Sequence, residues 1–417
     1  MKKILHINTY DVDGVGKAVL RIHHFLINNN FTSKVLVKEK KTNNENVVFL
    51  LDKPNVFSKI IRKIKNKIFK TKTIITNPKY HFFNFNEKEN TISAKKILKV
   101  IDFVPDIIIV YWISRFCNLE TIYHLQQKTK AKVFFYPLDM STLTGGCHYA
   151  WNCKGFYTNC GECPAILSEN INTAKYNFEE KLKWLDLIDC EIISGTSHIE
   201  KQIGASALFK NKKINKDIFL VPDKDVFKPF DKIKAREFLQ LPFDKKIIFI
   251  GASNFNDERK GLKYFQLGLE KLEKEDINNY YKNNLLILVA GKKNNVSFPF
   301  QTSYIGFIDS DETLAKVYQS VDFFVCSSIE DSGPMMINES ICCGTPVVCF
   351  EMGVATDLII PNKTGYIAKL FDYNDLGKGI QEMIDLDEIK AKEIHNNCIH
   401  LAEKILSNEK IKILFKV

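Results

Sequence analysis

Short apolar runs alternate with longer segments of helical length along the whole chain. In the first half, the apolar runs cover residues 3–8, 34–38, 107–112, 132–136 and 190–194. A second series covers residues 247–251, 285–291, 323–325 and 347–350. Continuous apolar strands separated by helices are typical of parallel sheets that are covered on both faces. The pattern therefore predicts an α/β fold with two doubly wound domains in succession.

The predicted boundary between these domains lies near residues 221–229, where two prolines and several charges interrupt the pattern. A chain of 417 residues also exceeds the size that a single core usually organises. We therefore expect one domain at residues 1–220, a second at residues 221–385, and a helical segment at residues 386–417.

The charge balance narrows the range of partners only slightly. The chain has 59 Lys and Arg against 49 Asp and Glu, a formal net charge of +10, which favours phosphorylated substrates, anionic lipid surfaces or polyanions. The N-terminal apolar run is too short for a signal peptide, and no apolar stretch approaches the ~20 residues that span a bilayer. We therefore expect a cytoplasmic protein.

Residues 57–70 form a predicted amphipathic helix with isoleucines on one face and cations on the others. Basic helices of this kind bind anionic membranes, which would place the protein at the inner face of the cell membrane. A helix that covers the sheet of the first domain with a solvated basic face explains the pattern equally well.

In the second half, an apolar run at residues 323–325 leads through a polar loop into a predicted helix. Asp331 lies in the loop, and Glu339 lies about two turns inside the helix. The backbone at the helix start, at Gly333, Pro334, Met335 and Met336, is suited to a diphosphate, because the positive end of the helix dipole lies there. The flanking carboxylates are suited to the hydroxyls of a sugar and a ribose.

Arg259 and Lys260 precede another predicted helix. Two adjacent cations at a helix start are unfavourable for the helix dipole, and a bound anion would resolve that conflict. A solvated pair on a surface turn is the alternative. Gly14 and Gly16 follow the first predicted strand, where glycines allow backbone to approach a ligand closely or simply form a turn into the helix.

Four cysteines lie within one loop at residues 144–166: Cys147, Cys153, Cys160 and Cys163. Four thiolates with one Cys-x-x-Cys pair are suited to tetrahedral zinc, which would stabilise a long irregular segment. Buried thiols or a redox pair are the alternatives.

The spacing from Asp331 to Glu339, followed by Gly344-Thr345-Pro346-Val347-Val348, resembles the donor site of the family 4 glycosyltransferases. These enzymes retain anomeric configuration and have the GT-B fold, in which two Rossmann-like domains face a cleft. The resemblance implies that Asp331, in place of the usual Glu, contacts the donor sugar and that Glu339 contacts the ribose. It also implies that Lys260 binds the diphosphate and stabilises the leaving nucleotide.

Further expectations follow from the same resemblance. Gly14 and Gly16 match the first-domain glycine loop that faces the donor, and the segment at Ile308 matches the one that contacts the nucleotide base. Arg259 would replace a second phosphate-binding cation, because Asn254 occupies that cation's usual position. The first domain would be the acceptor side, and the second would bind the nucleotide sugar. The segment at residues 386–417 would cross back to the first domain.

The resemblance also implies a catalytic site in the first domain, with one departure. Many relatives have a His-Asp pair after the strand at residues 132–136, but Leu138 replaces that histidine here and only Asp139 remains. Asp139 could orient a donor or acceptor hydroxyl, or it could be a structural loop acid. His148 lies ten residues farther along the chain and cannot be assumed to replace the missing histidine.

The resemblance therefore implies a retaining, hexosyltransferase-type enzyme of cell-surface polysaccharide biosynthesis. Its donor would be a UDP- or GDP-type nucleotide sugar and its acceptor a glycan or lipid-linked glycan, with no catalytic metal and no nucleic acid partner. The cysteine loop resembles an insertion in the surface-polysaccharide branch of the family. Two alternatives are a basic, zinc-containing protein that binds RNA or membranes without catalysis, and a sugar-nucleotide epimerase of the same fold.

Overall fold

The computed structural model of the protein describes residues 1–50, 74–168, 172–292 and 297–416. The predicted membrane helix at residues 57–70 lies outside these ranges. The chain divides into two compact units, one of residues 1–193 with 201–215 and the other of residues 194–200 with 216–415.

The first unit contains a seven-stranded parallel sheet within the described ranges, with the strand order β3-β2-β1-β4-β5-β6-β7. Its strands are β1 (Lys3–Ile7), β2 (Thr32–Val37), β3 (Val47–Phe49), β4 (Ile107–Val110), β5 (Lys132–Phe135), β6 (Cys190–Ile193) and β7 (Ile214–Asn215). Its helices are α1 (Asp13–Asn28), α2 (Ala94–Ile101), α3 (Leu119–Thr129), α4 (Thr173–Leu185) and α5 (Ser197–Ala205), the last of which begins in the segment grouped with the second unit. The central strand β4 is buried along its entire length, as expected for a sheet that is covered on both faces.

The second unit contains a six-stranded parallel sheet with the order β10-β9-β8-β11-β12-β13, again counted over the described residues. Its strands are β8 (Lys246–Ala252), β9 (Leu285–Gly291), β10 (Gln301–Gly306), β11 (Phe323–Cys326), β12 (Val347–Phe350) and β13 (Gly365–Ala368). Its helices are α6 (Lys232–Phe238), α7 (Leu262–Lys274), α8 (Tyr280–Asn284), α9 (Asp311–Ser320), α10 (Met335–Cys342), α11 (Ala355–Leu358), α12 (Tyr373–Ile384), α13 (Glu388–Ile405) and α14 (Glu409–Lys416).

The predicted pair of parallel α/β domains is confirmed. Helix α13 contributes Ile394, Cys398 and Leu401 to the core of the second unit. The predicted domain boundaries and the return of residues 386–417 to the first domain remain predictions. No helix among the described residues combines the length and the apolar character that crossing a membrane requires.

In both sheets, the chain first adds strands towards one edge and then returns to add the remaining strands towards the other edge, so the strand order reverses at one point. In the first sheet the reversal lies between β1 and β4, and in the second sheet it lies between β8 and β11. In open α/β sheets, a crevice forms outside the carboxyl ends of the two strands at such a switch point, and ligands bind there. The loops that follow these four strands are therefore the first places to look for a site.

Candidate active site

In the second unit, two loops at the switch point are bonded directly to each other. The short 3₁₀ turn Glu258–Lys260 follows β8, and residues 327–334 follow β11. The Ile329 N–H donates to the Arg259 carbonyl at 2.8 Å, and the Ser327 hydroxyl donates to the Lys260 carbonyl, also at 2.8 Å. These bonds hold the turn against the loop.

Gly261 makes this close approach possible. Its φ is +63°, a conformation that side chains with a Cβ rarely adopt, and a Cβ at this position would lie 1.9 Å from the Ser327 carbonyl oxygen. Only glycine therefore fits between the turn and α7.

Lys260 and Asp331 form an ion pair across this junction. The Lys260 ammonium lies 2.8 Å from Asp331 Oδ2, and the other carboxylate oxygen accepts the Gly333 N–H at 3.2 Å. Burial by itself would raise the pKa of the Asp331 carboxyl, but the charges of Lys260 and Arg259 and the hydrogen bonds from Lys260 and Gly333 hold it below the usual value. Asp331 is therefore ionised at neutral pH.

Arg259 occupies a different environment from its neighbour. Its guanidinium is buried, bonds Asp257 Oδ2 at 2.5 Å and the Glu330 carbonyl at 3.3 Å, and lies 3.7 Å from Asp331 Oδ2. The two cations precede α7 in the 3₁₀ turn, and carboxylates of the chain itself face both of them. The anion that the sequence pattern called for is thus supplied here by Asp257 and Asp331.

Helix α10 begins immediately after this loop, with Pro334 at its N-cap and Met335 as its first residue. Of the predicted diphosphate cradle, the Gly333 N–H already donates to Asp331. Glu339 is buried on α10, where its Oε2 accepts a long hydrogen bond of 3.4 Å from the Tyr318 hydroxyl. Ile308 packs at the edge of the core of the second unit.

Gly353 contributes to the loop geometry in a way that the sequence does not reveal. Its φ is +57°, and a Cβ there would lie 2.9 Å from the Asp331 carbonyl oxygen and 3.3 Å from the Gly333 nitrogen. Gly353 and Ser327 thus shape the site, although neither was assigned a role from the sequence. Their contacts join residues that are far apart in the chain, so spacing alone gives no signal for them.

Gly14 and Gly16, the two candidate glycines of the first unit, differ in their surroundings. A Cβ on Gly16 would lie 2.6 Å from the Asp11 carbonyl carbon, whereas a Cβ on Gly14 would meet nothing within 4 Å. Gly16 is therefore required for the packing of α1 against the preceding loop. Asp11 accepts hydrogen bonds from the N–H groups of Lys41 and Thr42, which ties residues 41–42 to the same loop. Of these two positions, Gly14 alone leaves open space.

Asp139 follows β5 and is linked to a histidine that the sequence did not connect to it. The Asp139 Oδ2 lies 3.0 Å from His148 Nδ1, and Oδ1 accepts the Ser141 N–H at 2.7 Å. Burial would raise the pKa of the Asp139 carboxyl, but the adjacent His148 ring and the bonds from His148 and Ser141 lower it. The structure thus brings His148 to the acid that Leu138 leaves without a neighbouring histidine.

The four loop cysteines line one small cavity, and none of them forms a disulfide. However, no group of three or more Cys, His, Asp or Glu side chains in the described part of the chain is placed to hold a metal ion. Burial raises the pKa of the Cys147 thiol strongly and that of the Cys160 thiol to about 12, so both are neutral thiols. The expectation of a structural zinc at Cys147, Cys153, Cys160 and Cys163 is therefore not supported.

Part of the chain is similar to known glycosyltransferases. Residues 232–400 match the family model described as "Glycosyl transferases group 1". A curated relative, the uncharacterized glycosyltransferase MJ1607 of Methanocaldococcus jannaschii, is 21% identical over 219 residues, which cover 48% of this chain and 52% of that protein. The chain thus spans about half the length of the curated relative that it matches.

Several solved structures are similar to this protein over the whole chain. A sucrose-phosphate synthase from Thermosynechococcus elongatus is 16% identical with a TM-score of 0.67, and the alignment covers 100% of this chain and 98% of that one. HepE of Anabaena, solved in complex with UDP-glucose, is 13% identical with a TM-score of 0.61, and the alignment covers 100% of both chains. At these identities the likeness establishes the fold. The protein therefore has the GT-B fold, and its second unit contains a region that matches the glycosyl transferases of group 1.

Proposed function

We propose that this protein is a retaining glycosyltransferase that uses a nucleoside-diphosphate sugar as its donor. The observation that carries the proposal is the Lys260–Asp331 pair, held 2.8 Å apart at the switch point of the second sheet and next to the start of α10. A cation, a carboxylate and the positive end of a helix in one place fit a diphosphate that is joined to a polyol.

The ion pair suggests how the donor binds. Lys260 exchanges its bond with Asp331 for one with the diphosphate, and the first turn of α10 adds its dipole. Asp331 is then available for the hydroxyls of the donor sugar, and Glu339 for those of the ribose. Each charged group thus exchanges a partner within the chain for one on the ligand.

In the proposed reaction, an acceptor hydroxyl attacks the anomeric carbon on the face from which the diphosphate departs. The bond from this carbon to the acceptor oxygen forms, the bond to the diphosphate oxygen breaks, and the hydroxyl proton leaves with the diphosphate. Negative charge grows on the diphosphate in the transition state, where Lys260 stabilises it most strongly. Asp139 is proposed as an acid that orients a hydroxyl.

We further propose a UDP- or GDP-type donor with a hexose as the transferred sugar. The acceptor is a glycan or a lipid-linked glycan, and the reaction belongs to cell-surface polysaccharide synthesis on the cytoplasmic side of the membrane. The GT-B fold, the similarity to a HepE structure that contains UDP-glucose, and the resemblance of the donor motif to family 4 support this assignment. The net charge of +10 fits a phosphorylated substrate.

The first experiment is a thermal-shift screen of UDP- and GDP-sugars against wild type and Lys260→Ala. We expect one nucleotide family to stabilise the wild type, and we expect the variant to bind it about tenfold to a hundredfold more weakly, because a charge-assisted bond is lost. Lys263→Ala is the matched control, since Lys263 is an exposed lysine in the first turn of α7. Asp331→Asn should weaken binding of the nucleotide sugar more than that of the free nucleotide.

The stereochemistry is tested with water as the acceptor. Proton NMR of freshly cleaved UDP-α-D-glucose should show the α-anomer of glucose first if configuration is retained. Release of the β-anomer would contradict the retaining mechanism, and a nucleotide sugar with inverted C2 would favour the epimerase. If no nucleotide sugar shifts the melting temperature of the wild type, the proposal is overturned.

A further inference from the structure

The switch point of the first sheet is flanked by aromatic side chains, in contrast to the charged pair in the second unit. Tyr10 follows β1, and Trp112 follows β4. Their ring centroids are 5.5 Å apart with an interplanar angle of 56°, and both side chains are partly exposed. Two tilted rings at a ligand crevice offer an apolar surface of the kind on which the C–H face of a pyranose packs.

Trp112 is held in place by both its backbone and its indole. Its N–H donates to Asn8 Oδ1 at 3.1 Å, and its carbonyl accepts the Thr9 N–H at 2.8 Å. The indole Nε1–H donates to His148 Nε2 at 3.2 Å. The ring is therefore fixed before any ligand arrives, which lowers the entropy cost of binding.

His148 lies in the cysteine-rich loop and is in turn fixed by contacts with residues outside that loop. Because an indole N–H can only donate, Nε2 of His148 must accept, and the ring proton lies on Nδ1 and points to Asp139. The His148 N–H donates to the Tyr80 carbonyl, and its own carbonyl accepts the Met140 N–H, each at 3.1 Å. The imidazole is buried and uses both nitrogens within the chain, so it positions Trp112 and does not contact a substrate itself.

Helix α4 holds the start of the cysteine-rich loop through a buried lysine. The buried Lys181 ammonium on α4 donates to the carbonyls of Ser141 at 2.7 Å and Thr144 at 2.9 Å. An ordered loop of this kind has a clear use if it sets the orientation of a binding side chain. Its neutral, buried thiols fit packing in such a scaffold.

We propose that Tyr10 and Trp112 form a stacking platform for a pyranose ring of the acceptor saccharide, and that His148 is the positioning residue that fixes Trp112. This proposal rests on the proposed glycosyltransferase function. Charges of both signs adjoin the platform, since Asp11 follows Tyr10 and the Lys41 ammonium lies 5.3 Å from the centroid of the Tyr10 ring. The stacking of an uncharged pyranose on the two rings, rather than a net local charge, is therefore what favours a sugar here.

The binding test uses tryptophan fluorescence, since the chain has only three tryptophans. Methyl glycosides of glucose, galactose, mannose and N-acetylglucosamine are titrated against wild type, Trp112→Phe and the control Trp184→Phe. We expect at least one glycoside to change the emission of wild type and of Trp184→Phe and to leave Trp112→Phe unaffected. A change that persists in Trp112→Phe, no change with any glycoside, or a change produced by UMP in their place would overturn the platform.

The kinetic test separates acceptor binding from the donor site. With the glycoside that binds as acceptor, Trp112→Ala should raise the acceptor KM about tenfold, with kcat within about threefold and the thermal shift caused by UDP unchanged. His148→Gln can still accept the indole N–H near the Nε2 position and should keep a KM close to wild type, whereas His148→Asn should raise it about as much as His148→Ala. Equal increases in the acceptor KM for His148→Gln and His148→Asn would contradict the positioning role and show that His148 is purely structural.

The two tests also distinguish this proposal from the function on which it rests. If the wild type does not respond to UDP- or GDP-sugars, the glycosyltransferase function fails, whatever the glycosides do. If nucleotide binding and sugar release are intact while Trp112→Ala leaves the acceptor KM unchanged, only the platform fails.

Discussion

Two histidines in the core of the first unit are unusually costly to protonate. His6 on β1 bonds the Tyr111 hydroxyl at 3.0 Å through Nδ1, and His23 on α1 bonds the Ser33 hydroxyl at 2.7 Å. The Nε2 atom of each ring is buried without a hydrogen-bond partner. Burial, together with the charge of His24, lowers the pKa of His23 to about 4, and burial, with the charge of His23, lowers that of His6 well below its usual value.

These shifts predict that the free energy of unfolding decreases as the pH is lowered. The unfolded chain takes up a proton on His23 near pH 6.5, but the folded chain does so only near pH 4, so the unfolded state binds more protons between these values. The stabilisation is therefore complete above pH 6.5 and is lost as the pH falls towards 4. For His23 alone the loss amounts to roughly 3 kcal/mol.

Urea unfolding at pH 7.5, 6.5, 5.5 and 4.5 measures this loss. His23→Gln should flatten the fall in unfolding free energy over this range, whereas His400→Gln, at an exposed position on α13, should not. An identical pH dependence for wild type and His23→Gln would show that His23 does not remain neutral in the folded protein. Acidic side chains that titrate equally in wild type and in His23→Gln contribute equally to both pH dependences, so their effect cancels when the two unfolding free energies are subtracted.

At the scale of elements, the turn at residues 258–261 and the loop at residues 327–331 behave as one unit. Gly261→Ala should lower the unfolding free energy by about 3 kcal/mol, because it combines a left-handed φ with a Cβ 1.9 Å from the Ser327 carbonyl oxygen. The same change should weaken nucleotide binding, since the strain displaces Lys260 from Asp331. Urea unfolding and thermal shift with UDP measure the two effects.

Gly14→Ala is the matched control for this change. It also adds a Cβ in the first residues that follow a strand, but that Cβ meets nothing within 4 Å. Its unfolding free energy should stay within about 1 kcal/mol of wild type. Equal destabilisation by the two substitutions would mean that the contact with Ser327 does not constrain the turn.

The accuracy of the sequence predictions follows the burial of each strand. Strands β9 and β12 were predicted with their observed bounds, because each is a nearly continuous run of buried apolar residues. Strand β10 was missed, since it lies at the edge of the second sheet and its residues are half-buried or exposed. Strands β3 and β7 have three and two residues, too few to show a period.

At the candidate site, the sequence shows the local motifs but not the contacts between residues that are far apart in the chain. Lys260 and Asp331 were proposed as site residues from their local motifs, and the strand order then explains why two loops about 70 residues apart meet. His148 was set aside because ten residues separate it from Leu138, but the hydrogen bond from the Met140 N–H to the His148 carbonyl folds that segment back. Spacing alone also suggested zinc, whereas the folded loop does not place the side chains for it.

At the scale of the whole molecule, one topology occurs twice with different chemistry. Each sheet has its switch point between its first strand and the fourth strand in chain order. In the second unit the crevice carries Lys260 and Asp331, which suit a charged leaving group. In the first unit it carries Tyr10 and Trp112, which suit an uncharged ring. The two proposals therefore assign the donor to the second unit and the acceptor to the first, as the resemblance to family 4 also implies.

This division of roles predicts where each ligand will slow amide hydrogen exchange. UDP or GDP should protect residues 258–261 and 327–336, because the ligand replaces water at the turn, the loop and the start of α10. A glycoside that binds the platform should instead protect residues 8–12 and 112–116, which follow β1 and β4. Lys260→Ala should abolish the first pattern and leave the second, and Trp112→Ala should do the reverse. Protection by the nucleotide at residues 8–12, retained in Lys260→Ala, would place the donor on the first unit and contradict the assignment of both crevices.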